Sequence, residues 1–372
     1  MDVIRGFKGI GYSKSLNPLD PYLTLPYDEI KGKKRLEYLK KSNYNFVRII
    51  LPEEGEDPLL TIRSFMSKKI FERDKKDNIY LFEQEFYYRK RRYLRRGFIA
   101  LLNLDYAREK VHPHEKIFQA PMIQRLKLLE KTGFDLEPIF LLYDERLAKC
   151  FRFENLELLA WGEEPAGIIN RLYSSEINFD GCDAGEFVIA DGHHRFSAAL
   201  EFYKNKSVAG WIMAYFVDLN NESLFILPSY KVVKGAKFNI NELEDYFDIE
   251  KLEGTFNLIR KNAFLMQSKE GSYILYLKEK SDLPEPVIFE EIIMKKIIRL
   301  KINVKNVKTF RSVDNISLSK NDVSFIFRPP SPKEVWDFAI KGGIMPQKST
   351  YFYPKIASGL RIFDKINFLI KR

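Results

Sequence analysis

Five consecutive residues, Asp191, Gly192, His193, His194 and Arg195, carry the densest chemistry in the chain. They follow the short apolar run Phe187–Ala190, which has strand length, and precede the pattern Phe196, Ala199, Leu200, Phe202, Tyr203, which suits a helix with one apolar face. Backbone N–H groups at such a helix start have no partner inside the helix, and the macrodipole puts partial positive charge there. Gly192 lets a ligand approach the backbone, and Arg195 can add a bidentate fork. The stretch is therefore a recipe for holding phosphate or another anion. It is neither a Walker loop nor a GxGxxG turn. The plainer alternative is that Asp191 caps the helix while the histidines face water. Against this stands the histidine usage: all four histidines occur in two tight pairs, His193 and His194 here, His112 and His114 in VHPHE.

Stepping outward, the strand Phe187–Ala190, a helix from Phe196 to about Lys204 and a strand Trp211–Asp218 would position the turn. The remaining elements divide the chain into three regions. Residues 1–95 form an N-terminal α+β region with a helix at 31–41, a strand at NFVRIIL (Asn45–Leu51), a helix over Asp57–Arg73 and a strand Tyr80–Tyr88. Residues 96–235 form the core, with a strand Gly97–Tyr106, a helix Met122–Lys131 ending near Gly133, a strand Pro138–Tyr143 and a helix around Pro165–Ser174. Residues 236–372 form a C-terminal α+β region returning to the core. It holds helical Leu243–Tyr246 and Glu290–Ile302, strands Ser272–Leu277 and Val323–Phe327, and a helix Ser331–Ile340 with Ser331 near its cap. Strands alternating with helices predict an α/β (α+β) class. Ligands of open α/β sheets collect at the carboxyl ends of strands, where both DGHHR and HPHE fall, so the two clusters can share a cleft. Lys348, Ser349 and Thr350, after the glycines of Gly342–Leu360, form either a second anion-binding loop or an ordinary turn into a strand Thr350–Tyr353.

Composition narrows the class. The 372 residues are 45% hydrophobic and 30% charged, with 61 basic and 51 acidic side chains for a net charge of +10. This is the profile of a folded protein of two or three domains, not of a disordered chain. Positive charge suits nucleic acid or anionic metabolites; with scarce Gln it also suits a thermophile. The connection after Tyr88 holds Arg89, Lys90, Arg91, Arg92, Arg95 and Arg96 among tyrosines. It reads as a solvated ribbon tip, with single-stranded nucleic acid as the disfavoured alternative. Cys150 and Cys182 are the only cysteines, without CxxC, so neither a disulfide framework nor a cysteine zinc site is expected, and a reducing cytoplasm is. No signal peptide and no membrane span are expected.

The sequence resembles the bacterial and archaeal domain-of-unknown-function family 1015. The resemblance runs through PYD (Pro26–Asp28), NFVRIILPE (Asn45–Glu53), RGFIALLNLDY (Arg96–Tyr106), HPHE (His112–Glu115), RL (Arg125-Leu126), PIFLLYD (Pro138–Asp144), IADGHHR (Ile189–Arg195) and MPQKSTYFYPK…GL (Met345–Leu360). It departs at Ile117, Gln124 and Tyr230, the last standing where the family has histidine. The GHHR loop is similar to the phosphate-holding loop of the ParB and sulfiredoxin superfamily, which includes an ADP-dependent free serine kinase. The resemblance implies a ParB/sulfiredoxin-like mixed sheet core and a nucleotide or phosphorylated small molecule near Gly192–Arg195. No cysteine lies in the motif, which argues against sulfiredoxin chemistry.

On this footing the leading expectation is a kinase-like phosphotransferase or nucleotide phosphohydrolase using Mg²⁺ with ADP or ATP. Gly192, His193, His194 and Arg195, with Lys348, Ser349 and Thr350, would hold phosphate; Asp191 would hold the loop or the metal. Glu115 would be the general base with His112 or His114 beside it; alternatively, HPHE is a proline turn whose Glu pairs with an arginine. Two other readings are a metal-dependent hydrolase ligated by the histidines, Asp191 and Glu115, and a non-catalytic, nucleotide-switched nucleic-acid-binding module. Oligomeric state and phosphate acceptor are not legible.

Overall fold

Apolar runs of five to ten residues pair into sheets. In a computed structural model, residues 3–149, 151–177, 179, 182–205, 210–236, 239–253, 260–300, 302, 306–310 and 316–366 are described; Cys150 lies outside them. The chain divides into two units: Met1–His112, Ile117–Leu224 and Pro354–Arg372 form unit 1, and Pro113–Lys116 with Phe225–Tyr353 form unit 2.

Unit 1 is built on a nine-stranded mixed sheet. Its strands are β1 (Ile4–Arg5), β2 (Ile79–Tyr88), β3 (Arg91–Asn103), β4 (Val111–His112), β5 (Ile139–Tyr143), β6 (Glu154–Glu163), β7 (Ile169–Glu176), β8 (Phe187–Asp191) and β9 (Trp211–Asp218). The order is β4-β8-β5-β9-β3-β2-β7-β6, with β1 on β3. Only β4–β8 and β5–β9 run parallel. The helices include α1 (Lys34–Lys41), α2 (Val47–Ile50), α3 (Pro58–Ser67), α4 (Leu104–Lys110), α5 (Gln119–Thr132) and α6 (His193–Asn205), with a further single turn at Glu145–Ala148. Leu104 and Ala107 of α4 and Phe196 and Ala199 of α6 bury against Phe98, Leu102, Ile189 and Phe216 of the sheet. Each large apolar side chain so buried stabilises the fold by roughly 1.5–3 kcal/mol. α5 ends at Gly133, whose φ of +74° is left-handed, and the Gly133 N–H closes the last turn on Leu129 O at 2.7 Å.

Several expectations need correction. NFVRIIL is not a strand: its centre is the short helix α2, started by the Asn45 carboxamide, which accepts the Val47 N–H at 3.0 Å. A short apolar run buried on all sides has no periodicity to separate helix from strand. The helix over 57–73 stops at Ser67, and Phe71–Arg73 is a strand. The stretch 165–174 is no helix but the turn and second strand of the hairpin β6–β7, where Asn170, Leu172 and Ser174 are buried while Arg171 and Tyr173 are less so. That is a period of two. The strand expected over 97–106 begins at Arg91 and yields to α4 at Leu104, because the Asn103 side chain caps the amides of Asp105 and Tyr106. Residue 95/96, taken as a domain boundary, lies inside β3, which pairs with β2 along its length. Arg89 and Lys90, at φ +49° and +65°, form the tight turn of that ribbon.

Unit 2 carries a six-stranded antiparallel sheet of β10 (Tyr230–Val233), β11 (Phe247–Lys251), β12 (Ala263–Ser268), β13 (Gly271–Leu277), β14 (Val307–Phe310) and β15 (Val323–Phe327), ordered β11-β13-β12-β15-β10-β14. Phe264, Leu275, Phe325 and Phe327 pack on Phe289 and Ile293 of a helical segment over Glu285–Ile297, which starts earlier than expected. Helix α7 (Pro332–Ile340) opens with a capping box of Ser331 and Glu334. The whole is an α+β protein. Among the described residues no helix is long and apolar enough to cross a membrane.

Candidate functional site

The DGHHR turn belongs to unit 1. β8 runs to Asp191, with a register irregularity against β5 between Ile189 and Asp191, and Gly192 turns the chain at φ +98°. The left-handed φ favours glycine, and a Cβ there would stand 3.1 Å from Ile139 Cγ2 and 3.2 Å from the Arg195 guanidine, close enough that both side chains would have to shift slightly. Helix α6 starts at His193, earlier than the periodicity suggests, and its first intrahelical bond runs from Phe196 N–H to Gly192 O at 2.9 Å. The amides of His193, His194 and Arg195 thus occupy the first turn.

The side chains of the turn are placed differently from expectation. Asp191 Oδ2 accepts Arg195 Nη2 at 2.7 Å and its Oδ1 accepts the Lys355 ammonium. Arg195 Nη1 donates to Pro138 O at 2.7 Å. The Arg195 fork therefore faces inward instead of standing open for a phosphate. Asp191, with each oxygen held by a cation, does not present one to Mg²⁺. The physical cause is burial: a carboxylate withdrawn from water must find compensating charge, and a residue four positions along a helix is within reach. Burial works against the Arg195 charge, but Glu137, Asp191, Tyr27 and Asp28 outweigh it and hold its pKa above the ordinary value. His194 Nε2 accepts the Phe118 N–H at 3.1 Å, which assigns the neutral tautomer protonated on Nδ1 and fixes the start of α5. His193 is half-buried in the first turn of α6.

Lys355 was not among the expected site residues. Its only sequence signal is its place in YFYPK, and a lysine after proline reads as solvated. Its position is set by a buried polar network: Gln84 Nε2 donates to Lys355 O at 2.9 Å and to Asn170 Oδ1 at 3.0 Å, and Arg95 Nη2 donates to Pro354 O at 2.6 Å and to Gln84 Oε1. Arg95, expected in an exposed basic connection, is fully buried and lies against the rings of Phe140 and Tyr215. Asn170 donates in turn to Glu164 at 2.8 Å, whose carboxyl is pushed up to about 7 by burial. Beyond Arg195, the Arg125 guanidinium sits 3.9 Å over the ring of Tyr27, and Ser358 donates to Glu137. Tyr27 of PYD, Arg125 of RL, Asp191 and Arg195 of DGHHR, and the Pro354-Lys355 end of YFYPK all belong to unit 1.

The HPHE stretch is divided. His112, in unit 1, faces Glu186 at 3.2 Å. His114 and Glu115 are in unit 2. His114 Nε2 meets Thr350 Oγ1 at 2.8 Å, while the two Glu115 oxygens accept the backbone N–H groups of Lys348 at 2.8 Å and Ser349 at 3.1 Å. Lys348 has φ +56°, which helps successive amides converge. The Lys348–Thr350 loop therefore does bind an anion, but that anion is Glu115. The Glu115 carboxylate, expected as a general base with His112 or His114 beside it, is thus engaged by backbone amides, His114 meets Thr350, and His112 stands against Glu186. For the same reason the metal-hydrolase arrangement is not built; among the described residues no group of three or more His, Cys, Asp or Glu side chains is placed to hold a metal ion. On the β2–β3 ribbon, Arg92 pairs with Glu85 at 2.6 Å and Arg96 with Glu83 at 2.7 Å, leaving Tyr87 exposed near the tip.

Comparison with solved structures finds distant likenesses. A conserved hypothetical protein from Pyrococcus furiosus shares 16% identity over 71% of this chain and 94% of its own, with a TM-score of 0.38. C-terminally truncated SbnI from Staphylococcus aureus shares 14% over 72% of this chain and 87% of its own, at 0.42. A free serine kinase in complex with AMP shares 15% over 73% of this chain and 93% of its own, at 0.41. No curated protein matches. At the level of family the match is broad: residues 4–309 match the model of the protein family of unknown function DUF1015, and the chain belongs to that family.

Proposed function

We propose that unit 1 binds a phosphate-bearing small molecule, an adenine nucleotide of the ADP or ATP class, at the start of α6, and that the protein is a kinase-like phosphotransferase or nucleotide phosphohydrolase. The observation that carries this reading is the pair of cations, Lys355 and Arg195, meeting over the single carboxylate of Asp191 beside the glycine turn that opens a 13-residue helix. Two cations on one carboxylate leave positive charge beside a row of first-turn amides, a field suited to phosphate oxygens. In this reading the amides of His193, His194 and Arg195 are the donors, and the Arg195 and Lys355 side chains set the field without releasing Asp191. The likeness of the turn to the phosphate-holding loop of ParB and sulfiredoxin proteins supports the same placement. Asp28 and Glu137 lie in the field of Arg195, and in this reading they would orient an acceptor. Asp191 does not fit a Mg²⁺ site as arranged, so the metal is not given a ligand here.

Thermal unfolding with ADP, ATP and CTP, each with and without Mg²⁺, tests the reading. Ligand at a hundred times its Kd stabilises by about 2.7 kcal/mol and should raise Tm by several degrees. Lys355→Met should lose most of the shift. If no nucleotide moves Tm of the native protein, the reading is wrong.

A further inference from the structure

A pocket in unit 1 lies behind the DGHHR turn, between α5, α6 and β5. Its walls are mostly apolar, with Ile50, Leu128, Leu129, Ile139, Ala198 and Ile212 among them, and the space within them together with the open solvent at the mouth is about 460 Å³. Four charged residues also line it: Arg125, Asp135, Glu137 and Arg195. Three of them have partners. Asp135 accepts the Met213 N–H at 2.9 Å and pairs with Lys365 at 3.0 Å; Glu137 takes the Ser358 hydroxyl; Arg195 takes Asp191. Arg125 is different. Its Nη1 donates to Ile50 O at 3.1 Å and its face rests on Tyr27, yet its buried Nε has no hydrogen-bond partner among the described residues. No carboxylate among the described residues reaches it within ion-pair distance, and burial lowers its pKa, with Glu137 only partly opposing.

A half-buried guanidinium whose Nε is shielded from water and unpaired is costly to keep, and an anionic ligand would relieve it. We propose that this pocket binds a small monocarboxylate with a compact apolar body, its carboxylate on Arg125 and its hydrocarbon against Leu128, Leu129, Ile139 and Ala198. A dianion is disfavoured, since Glu137 and Asp135 stand in the same wall and Arg125 is the one cation there without an ion-pair partner among the described residues. The site goes beyond the nucleotide reading and holds whether or not the start of α6 takes a phosphate.

Calorimetric titration of the full chain with the straight-chain monocarboxylates from acetate to hexanoate, with benzoate, with their primary amides and with inorganic phosphate decides the matter. The expected result is affinity that rises with the hydrocarbon up to a size limit, at least tenfold weaker binding of the amides, and no competition by phosphate. Arg125→Met should weaken carboxylate binding at least tenfold. Ala198→Leu, which fills the pocket and leaves the charge in place, should block it as well. Should Arg125→Met fail to fold, the amide series and Ala198→Leu carry the test. Equal affinity for amide and carboxylate, displacement by phosphate, unaltered binding in Ala198→Leu, or no binding of any carboxylate would each overturn the proposal.

Discussion

The side-chain amide of Gln84 donates to the backbone carbonyl of Lys355 over 2.9 Å, inside the sheet of unit 1. The bond ties a residue of β2 to one far along the chain, and it sets where the Lys355 ammonium meets Asp191. Gln84 also donates to Asn170 and accepts from Arg95, so its carboxamide is used on both sides.

Gln84→Leu should therefore cost roughly 2–4 kcal/mol, because it leaves the Lys355 carbonyl, the Asn170 oxygen and the Arg95 guanidinium short of a partner. Urea unfolding measures the loss. A second readout separates repositioning from simple destabilisation: Lys355, 8% exposed in the native protein, should become more reactive to amine acetylation in the variant under native conditions.

Glu164 predicts a pH dependence. Burial raises its folded pKa to about 7, whereas an unfolded glutamate titrates near 4.3. Between these values the folded state binds more protons than the unfolded one, so the contribution of Glu164 is fully present below the unfolded pKa and is lost as pH rises through about 7. Glu164→Gln stays neutral and can still accept the Asn170 bond. Its stability relative to the native protein should rise by on the order of 1–3 kcal/mol between pH 5 and pH 8, measured by urea unfolding at both. A difference independent of pH would contradict the assignment.

Glu115 should behave as a latch. Glu115→Ala removes the acceptor for the Lys348 and Ser349 amides and should destabilise unit 2 by roughly 1–3 kcal/mol; Glu115→Gln, keeping one acceptor oxygen, should fall between. Faster hydrogen exchange at those two amides would report the same loss locally. Unchanged exchange and stability in Glu115→Ala would return Glu115 to the catalytic candidates.

Much was legible because it is local. The chain of residues 187–205 states its strand, its glycine turn and its helix in sequence order, and Ser331 with Glu334 announces the start of α7. The α+β class followed from apolar runs of strand length, such as β9 and β15, standing between helical patterns. The errors fall where burial on all sides erases periodicity, as in α2, or where a polar residue is buried, as in the hairpin β6–β7 and at Arg95.

By itself, the sequence determined the motif string, the glycine turn and the family to which they belong, since backbone conformation and short-range pattern are written in neighbouring residues. Only the tertiary structure decided which charges meet: that Asp191 is held by Lys355 as well as Arg195, that Glu115 fills the Lys348–Thr350 loop, and that Arg125 stands over Tyr27 without a carboxylate. Those pairings join residues from widely separated stretches of chain. An ionised side chain leaving water takes whatever counter-charge the fold brings within reach, and that choice is made by packing, not by spacing along the chain.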